Sequence, residues 1–165
     1  MGLIIKDKIQ MLMTGFPTIS DKYNVAGATL AGSTNVHFGD LLKKSSTVGY
    51  FEAIASSISS VDDLGGFIVG TNVKLADGFP GGEPVTKPGE AFNLLVNGFI
   101  AIKLDSGATT SYITPNAPVL VIYATGKCTT SDKASDDTIV AIPNVYFTGT
   151  YELHGSDIIA EIYVK

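Results

Sequence analysis

The residues most able to do chemistry follow an apolar run in the middle of the chain. There the segment Asp105-Ser106-Gly107-Ala108-Thr109 begins with a carboxylate. If a second copy supplied a matching Asp105, the two carboxylates could share one proton and activate a water molecule for hydrolysis. Gly107 and Thr109 would hold such a loop. The same residue types also suit an ordinary polar turn, so both interpretations remain open at this point.

Together with Val96-Asn97-Gly98 and Ile100-Ala101-Ile102-Lys103-Leu104 before it, this loop resembles the catalytic loop of retroviral-type aspartic proteases. The resemblance implies a homodimer in which Asp105 of each subunit activates the attacking water. Only isolated glycines follow where that family needs a glycine-rich flap. The family's second signature is faintly echoed by Leu153-His154-Gly155-Ser156-Asp157. The protease is therefore kept as the alternative hypothesis.

No other group of residues has the spacing of a catalytic or metal-binding pattern. Cys128 is the only cysteine, which excludes an internal disulfide and a site built from several cysteines. His37 and His154 lie far apart in the sequence, without metal-ligand spacing. The acidic pairs Asp62-Asp63 and Asp136-Asp137 lack the alternating ligands of a calcium loop. We therefore predict no catalytic, cofactor-binding or metal-binding residues and no cofactor.

The composition predicts a folded domain with an unusually uncharged surface. At 165 residues, the chain is long enough for a core without disulfides or metals. Hydrophobic residues make up 45% of the chain, too many for a disordered protein. Charged residues make up only 16%, against about 25% in typical domains. A surface this poor in charge is expected to be partly covered by other protein.

The charged residues also exclude two classes of partner. The net charge is −5, and all 11 basic residues are lysine. Because nucleic-acid binders need clustered cations and usually read bases with arginine, we predict no nucleic-acid partner. Anionic membranes are disfavoured by the same charge.

The segment Lys6-Asp7-Lys8 interrupts the apolar N-terminus, and no apolar run approaches a membrane span, so we expect a soluble chain without its own export signal.

Short apolar runs separated by turn residues predict strands along most of the chain. Asn97-Gly98 has the composition of a two-residue hairpin turn between the runs Leu94–Val96 and Phe99–Ile102. Tyr112–Thr114 is predicted as a strand, and the alternation in Ile158–Val164 predicts a half-buried terminal strand. No amphipathic helix of ten or more residues follows residue 15. We predict a mostly β protein, a small β-barrel or β-sandwich with an N-terminal arm and little helix.

The distribution of glycine and proline predicts the domain organisation. Residues 76–90 contain four glycines and three prolines, so they are expected to form a loop or a joint. The predicted divisions are an N-terminal arm (1–14), an N-terminal β-rich subdomain (15–75), the Gly/Pro-rich loop or joint (76–90) and a C-terminal β-barrel-like subdomain (91–165).

Several short motifs follow one another in a recognisable order along the chain. They are Gly15-Phe16-Pro17, Val36-His37-Phe38-Gly39-Asp40, Phe67-Ile68-Val69-Gly70, Pro88–Leu95, Asn97–Ile102, Gly126-Lys127, Ile142–Phe147 and the strand Ile158–Val164. Each motif is weak alone, but their order is similar to that in the structural cement, or head decoration, proteins of tailed bacteriophages. The similarity covers roughly residues 15–165.

This resemblance implies a virion structural protein rather than an enzyme. Such a protein would assemble in the host cytoplasm, bind the outer surface of an icosahedral head and stabilise the major capsid protein lattice. Self-association, for example as a trimer, is compatible with it. Residues 1–16 and 78–88 are the candidate contact segments, although both could equally be mobile. A generic β binding module, such as an adhesin fragment, is a third hypothesis.

Overall fold

The computed structural model describes residue 15 and residues 23–54, 58–70, 85–134 and 138–165. They form strands and three short 3₁₀ helices, at Val61–Asp63, Thr110–Tyr112 and Ser131–Lys133. A mostly β fold with little helix is therefore confirmed. The strands are β1 (Tyr23–Ala31), β2 (Val36–His37), β3 (Leu41–Lys44), β4 (Tyr50–Ala53), β5 (Leu64–Val69), β6 (Val85–Thr86), β7 (Ala91–Lys103), β8 (Pro118–Ile122), β9 (Cys128–Thr129), β10 (Ile139–His154) and β11 (Asp157–Val164).

Five strands close into a first ring. The hydrogen-bonded order is β1-β4-β3-β5-β7, and β7 pairs back to β1. The β1–β4 contact is parallel and the other four are antiparallel. Closure leaves these strands with few exposed edges, since each finds a neighbour on both sides. The ring encloses an apolar core made of Ala28, Leu30, Val36, Phe38, Leu42, Ile68, Phe92 and Leu94.

A second ring grows from the other end of β7. From β7 the order continues as β11-β10-β8-β9. The ring is closed by a bridge between Leu104, directly after β7, and Cys128 in β9. The Asp105 N–H reinforces that bridge by donating to the Cys128 carbonyl at 2.8 Å. The fully buried members of this larger core include Ile100, Ile102, Val119, Val121, Phe147, Ala160 and Ile162.

A β-bulge allows β7 to belong to both rings. Asn24 faces Asn97 and Val25 faces Leu95, so Val96 is an extra residue in β7. An inserted residue changes which face of a strand the following side chains occupy. Val96 itself is 51% exposed. The side-chain amide of Asn24 donates to that of Asn97 at 3.0 Å beside the bulge.

The change of face is visible in the burial of β7. Leu94 packs in the first core, whereas Leu95 on the opposite face packs in the second. After the bulge, Ile100 and Ile102 continue the face of Leu95 rather than that of Leu94. The predicted hairpin turn at Asn97-Gly98 is therefore wrong. The two apolar runs pair with different strands rather than with each other, and Gly98 uses its conformational freedom at φ +122° within the strand.

The two rings are packed against each other through strands buried on both faces. Leu42 and Ile68 point into the first core, while their neighbours Leu41, Phe67 and Val69 point into the second. Fully burying side chains of this size contributes about 1.5–3 kcal/mol each. The outer wall of the first ring is thus part of the interior of the second.

Two of the predicted strands lie in the C-terminal half of the chain. The strand predicted at Tyr112–Thr114 is wrong: Thr110–Tyr112 form a 3₁₀ helix, and an Asn116 at φ +65° follows in the turn before β8. The terminal strand is confirmed as β11, in which Ala160 and Ile162 are completely buried.

The predicted division at residues 76–90 remains a prediction. Residues 71–84 lie outside the described ranges, as do residues 1–14 of the predicted arm. The described end of this segment, residues 85–90, contains β6, which pairs with β2. It also contains a turn in which the Glu90 N–H donates to the Lys87 carbonyl at 3.0 Å.

Gly15 fills a gap between the two rings. Its N–H donates to the Ala101 carbonyl of β7, and its carbonyl accepts from the Gly70 N–H, both at 2.7 Å. Gly15 has φ +80°, and a Cβ added to it would lie 2.2 Å from the Cβ of Phe38. Only glycine fits here, for reasons of both space and backbone conformation.

Gly15→Ala should lower the free energy of unfolding by about 2–4 kcal/mol, because overpacking is added to an unfavourable φ. The matched control is Gly49→Ala, where φ is +82° but no atom lies within 4 Å of the new Cβ. That control should cost only about 1 kcal/mol. Urea denaturation of the three proteins measures the difference, and equal losses for the two variants would contradict the proposed contact.

Candidate functional site

Asp105 uses its carboxylate to shape its own turn. The Gly107 N–H donates to Asp105 Oδ2 at 2.8 Å, and the Ala108 N–H donates to the Asp105 carbonyl at 3.0 Å. This is the local bonding by which an Asp side chain stabilises a tight turn. The turn follows directly from the ring-closing contact between Asp105 and Cys128. Its position at the end of β7 explains why a polar turn is needed there.

The other end of the loop is fixed by the carboxylate of Asp132, in the polar stretch after β9. Asp132 Oδ2 accepts from the Thr109 hydroxyl at 2.7 Å, and Asp132 Oδ1 accepts from the Thr130 hydroxyl. The Thr109 N–H also donates to Thr130 Oγ1 at 2.9 Å. These bonds, that from Thr130 first, hold the pKa of Asp132 below its ordinary value. Thr130 precedes the 3₁₀ helix Ser131–Lys133 but makes no side-chain capping bond to it, so no local sequence pattern pointed to these contacts.

This geometry gives the protease hypothesis no support. Gly107 and Thr109, which would position a catalytic loop, instead complete a turn and bond to Asp132. Within the described ranges no three His, Cys, Asp or Glu groups lie close enough together to hold a metal ion.

The cysteine and the histidines occupy ordinary structural positions. Burial, with a smaller contribution from the charge of Asp40, raises the pKa of the Cys128 thiol to about 12, so the thiol is protonated at neutral pH. His37 is exposed, with Nδ1 3.7 Å from Asp40 Oδ2. His154 is exposed beside Glu152, at 3.1 Å from Nε2 to Oε2. Each histidine is on the surface.

In the first of the two acidic pairs, Asp62-Asp63, Asp63 caps a short helix, whereas Asp136-Asp137 lies outside the described residues. Asp63 Oδ2 accepts from the Ser59 hydroxyl at 2.8 Å and from the Ser60 N–H at 3.1 Å. With the Ser60 side chain bonded to the start of the 3₁₀ helix at Val61–Asp63, this forms a capping box. The bond from Ser59 is the main reason that the pKa of Asp63 is lowered.

A cleft of about 300 Å³ separates the turn before β3 from the β8–β9 turn. Its charged lining residues are of both signs: Asp40 against Lys103 and Lys127, with His37 beside them. Lys103 is also paired with Asp157, 2.6 Å from Nζ to Oδ2. The electrostatic potential in the cleft is therefore not of a single sign, and it does not favour a charged ligand.

The other large depression is an apolar groove of about 350 Å³ between the rings. It lies beside the bulge in β7 and none of its lining residues is charged. The fold also leaves eight large apolar side chains exposed within the described ranges. They are Tyr23, Val25, Val48, Tyr50, Val96, Tyr112, Tyr151 and Leu153. Sequence reasoning predicted covered surface but could not locate it.

No helix in the described ranges is long and apolar enough to cross a membrane.

Asp132→Asn should destabilise the protein at neutral pH, because the carboxylate loses its charge-assisted bonds to Thr109 and Thr130. The pKa of Asp132 is depressed in the folded state. Its carboxylate therefore contributes fully to the free energy of unfolding above the ordinary pKa of 3.8, and this contribution is lost as the pH falls through the lower folded-state pKa. Urea denaturation should therefore show a difference between wild type and variant at pH 7 that shrinks as the pH falls below the ordinary value of 3.8. Asp62→Asn, an exposed carboxylate, is the control. A wild-type–variant difference independent of pH would contradict the assignment.

Comparison with known proteins agrees with a structural rather than a catalytic reading of this geometry. A chain in a solved structure titled "The capsid of Myoviridae Phage XM1" has the same fold, with a TM-score of 0.67 and 13% identity over 100% of this chain and 97% of that chain. No curated protein matches. The family model described as structural cement protein (E217 gp24/Pam3 gp6) matches residues 14–165, confirming the extent predicted from the motifs. The chain therefore belongs to the structural cement protein family of bacteriophages.

Proposed function

We propose that this protein binds the major capsid protein on the outer surface of an icosahedral phage head and holds neighbouring subunits of that lattice together. The observation that carries the proposal is the family match over residues 14–165. Membership gives a capsid-stabilising structural role; the particular partner and the outer surface are our inference. The head of the virion would be its location, after assembly in the host cytoplasm.

The described surface is physically suited to this role. Exposed apolar side chains lie on strands and turns of both rings, and charged residues are few. Each contact with a capsid subunit can be weak, because many copies engage one lattice and partners are held at high effective concentration. A stiff scaffold helps, since a protein that braces a shell must not deform when the shell is loaded.

We further infer that the protein is not an enzyme and that residues 1–16 and 78–88 contribute contacts to the lattice. The Asp105 turn has a sufficient structural reason in the closure of the second ring. Both contact segments fall mostly outside the described residues, with Gly15 and residues 85–88 as the described parts. Copies would also associate with one another on the capsid, and a trimer is one arrangement compatible with this.

Quantitative mass spectrometry of purified phage particles tests the proposal directly. The chain should be present at a copy number comparable with that of the major capsid protein, because a lattice-bracing role requires stoichiometric binding. Particles stripped of the chain should lose heat resistance and regain it when purified protein is added back. Absence from particles, or presence only in traces, would refute the proposal.

Asp105→Asn separates the cement function from the protease hypothesis. The variant should fold and bind capsids as wild type does, because an Asn side-chain oxygen can still accept from the Gly107 N–H. Capsid sedimentation measures binding, and a peptide-cleavage assay at acidic pH measures hydrolysis. Wild-type cleavage that the substitution abolishes would favour the protease.

A further inference from the structure

One edge of β1 is open at its N-terminal end. β1 pairs with β7 from Tyr23 to Thr29 on one side, whereas β4 on the other side begins to pair only at Thr29. Among the described residues, none pairs with that second side of Tyr23–Ala28. The residues from Tyr23 to Gly27 are all exposed, so this part of the first ring has an uncovered edge.

The backbone groups of Val25 and Gly27 point towards the open edge. The Thr29 N–H donates to the Gly49 carbonyl, directly before β4, at 3.1 Å, so Thr29 directs its backbone groups away from β7. Successive residues of a strand direct their N–H and C=O groups to opposite edges. Val25 and Gly27 therefore have the orientation of Thr29. The bulge does not change this alternation, because its extra residue is in β7.

The side chains of this edge do not protect it. Tyr23 is 36% exposed and Val25 is 38% exposed. Natural sheets usually block an open edge with proline or charged side chains, lysine above all, since unpaired strands join other segments. β1 contains no proline and no charged residue. An exposed and unblocked edge of this kind accepts an added strand through main-chain hydrogen bonds.

The segment before Gly15 enters the described structure close to this edge. The Gly15 N–H is bonded to the Ala101 carbonyl. Ala101 follows Gly98 by three residues of β7, and Gly98 pairs with Tyr23 at the start of β1. Three residues of a strand span about 10 Å. Four extended residues before Gly15 span about 13 Å, so Met11 is within reach of a position beside Tyr23.

The sequence of that segment matches the edge residue by residue. With Met11 beside Tyr23 in an antiparallel pair, Ile9 lies beside Val25. Residues that face each other across a strand pair are on the same face of the sheet, so both apolar side chains meet apolar partners. Gln10 then shares the opposite face with Asn24. A shift of one residue would instead place the Gln10 amide against Tyr23 or Val25.

We propose that Ile9–Met11 adds to the first ring as a further strand, antiparallel to β1, beside Tyr23–Val25 of the same chain. Gly15 and Tyr23 are close in space, so this arrangement needs only a short connection. A tethered segment has an effective concentration of roughly millimolar at its site, which exceeds that of a second molecule in dilute solution. Reach, apolar complementarity and tethering therefore select the chain's own segment as the occupant.

Amide hydrogen exchange of the full chain, followed by NMR, tests the added strand. The Val25 N–H should exchange at least tenfold more slowly than that of Val48, a turn residue that is 98% exposed, because the added strand gives Val25 a hydrogen-bond partner. The Ala26 N–H, which faces β7, reports whether the ring is folded. A Val25 N–H that exchanges as fast as that of Val48 would overturn the inference.

The source of the strand is tested with proline. Ile9→Pro should abolish the protection of the Val25 N–H, because proline removes the N–H that faces β1 and fixes the backbone. Leu3→Pro, outside the paired segment, is the matched control and should leave the protection unchanged. The Ala26 N–H should stay protected in both variants. Protection of Val25 that survives Ile9→Pro would exclude this segment as the source.

The same measurement at several protein concentrations identifies the molecule that supplies the strand. Protection by the chain's own segment is independent of concentration. Protection that is lost on dilution would mean that a second copy supplies the strand, and the assignment to the same chain would be wrong. None of these experiments contains capsids, so the inference goes beyond the proposed function and does not rest on it. Residues 1–8 remain for the lattice contact proposed above.

Discussion

The architecture depends on a single strand that serves two closed rings. β7 is hydrogen-bonded to β1 and β5 in its first half and to β11 in its second. A strand with strict alternation could not face both cores, since its inward side chains would be on the wrong side of one of them. The extra residue at Val96 resolves this conflict. The bulge positions the rest of β7 and the Leu104–Cys128 bridge that closes the second ring.

The residues that looked most chemical are explained by this architecture. Asp105 begins the turn that β7 needs once the second ring is closed, and Asp132 fixes that turn to the 3₁₀ helix that follows β9. Cys128 is a buried member of the closing bridge. Polar side chains at the ends of strands thus satisfy backbone and hydroxyl groups where the ladders stop. A short motif of this kind predicts chemistry only when the surrounding fold also leaves its groups free to act.

The sequence predicted the class of fold, the terminal strand and the family, because these follow from composition, alternation and motif order. It could not predict the role of Asn97-Gly98. The same dipeptide suits a hairpin turn and a bulged strand, and the choice depends on which distant strands lie beside it. Asp132 was missed for a similar reason: its partner Thr109 is distant in sequence. The exposed apolar surface was expected from the low charge, but its location depends on the tertiary fold.

The shared strand also has a mechanical consequence. A force applied to one ring along β7 is carried by covalent backbone into the other, with no interface between domains that could slide. Within each ring the ladder hydrogen bonds lie across the direction of such a pull, so many bonds would have to shear together rather than open one at a time. For a structural cement protein, the bulge at Val96 therefore joins two small barrels into one mechanical unit.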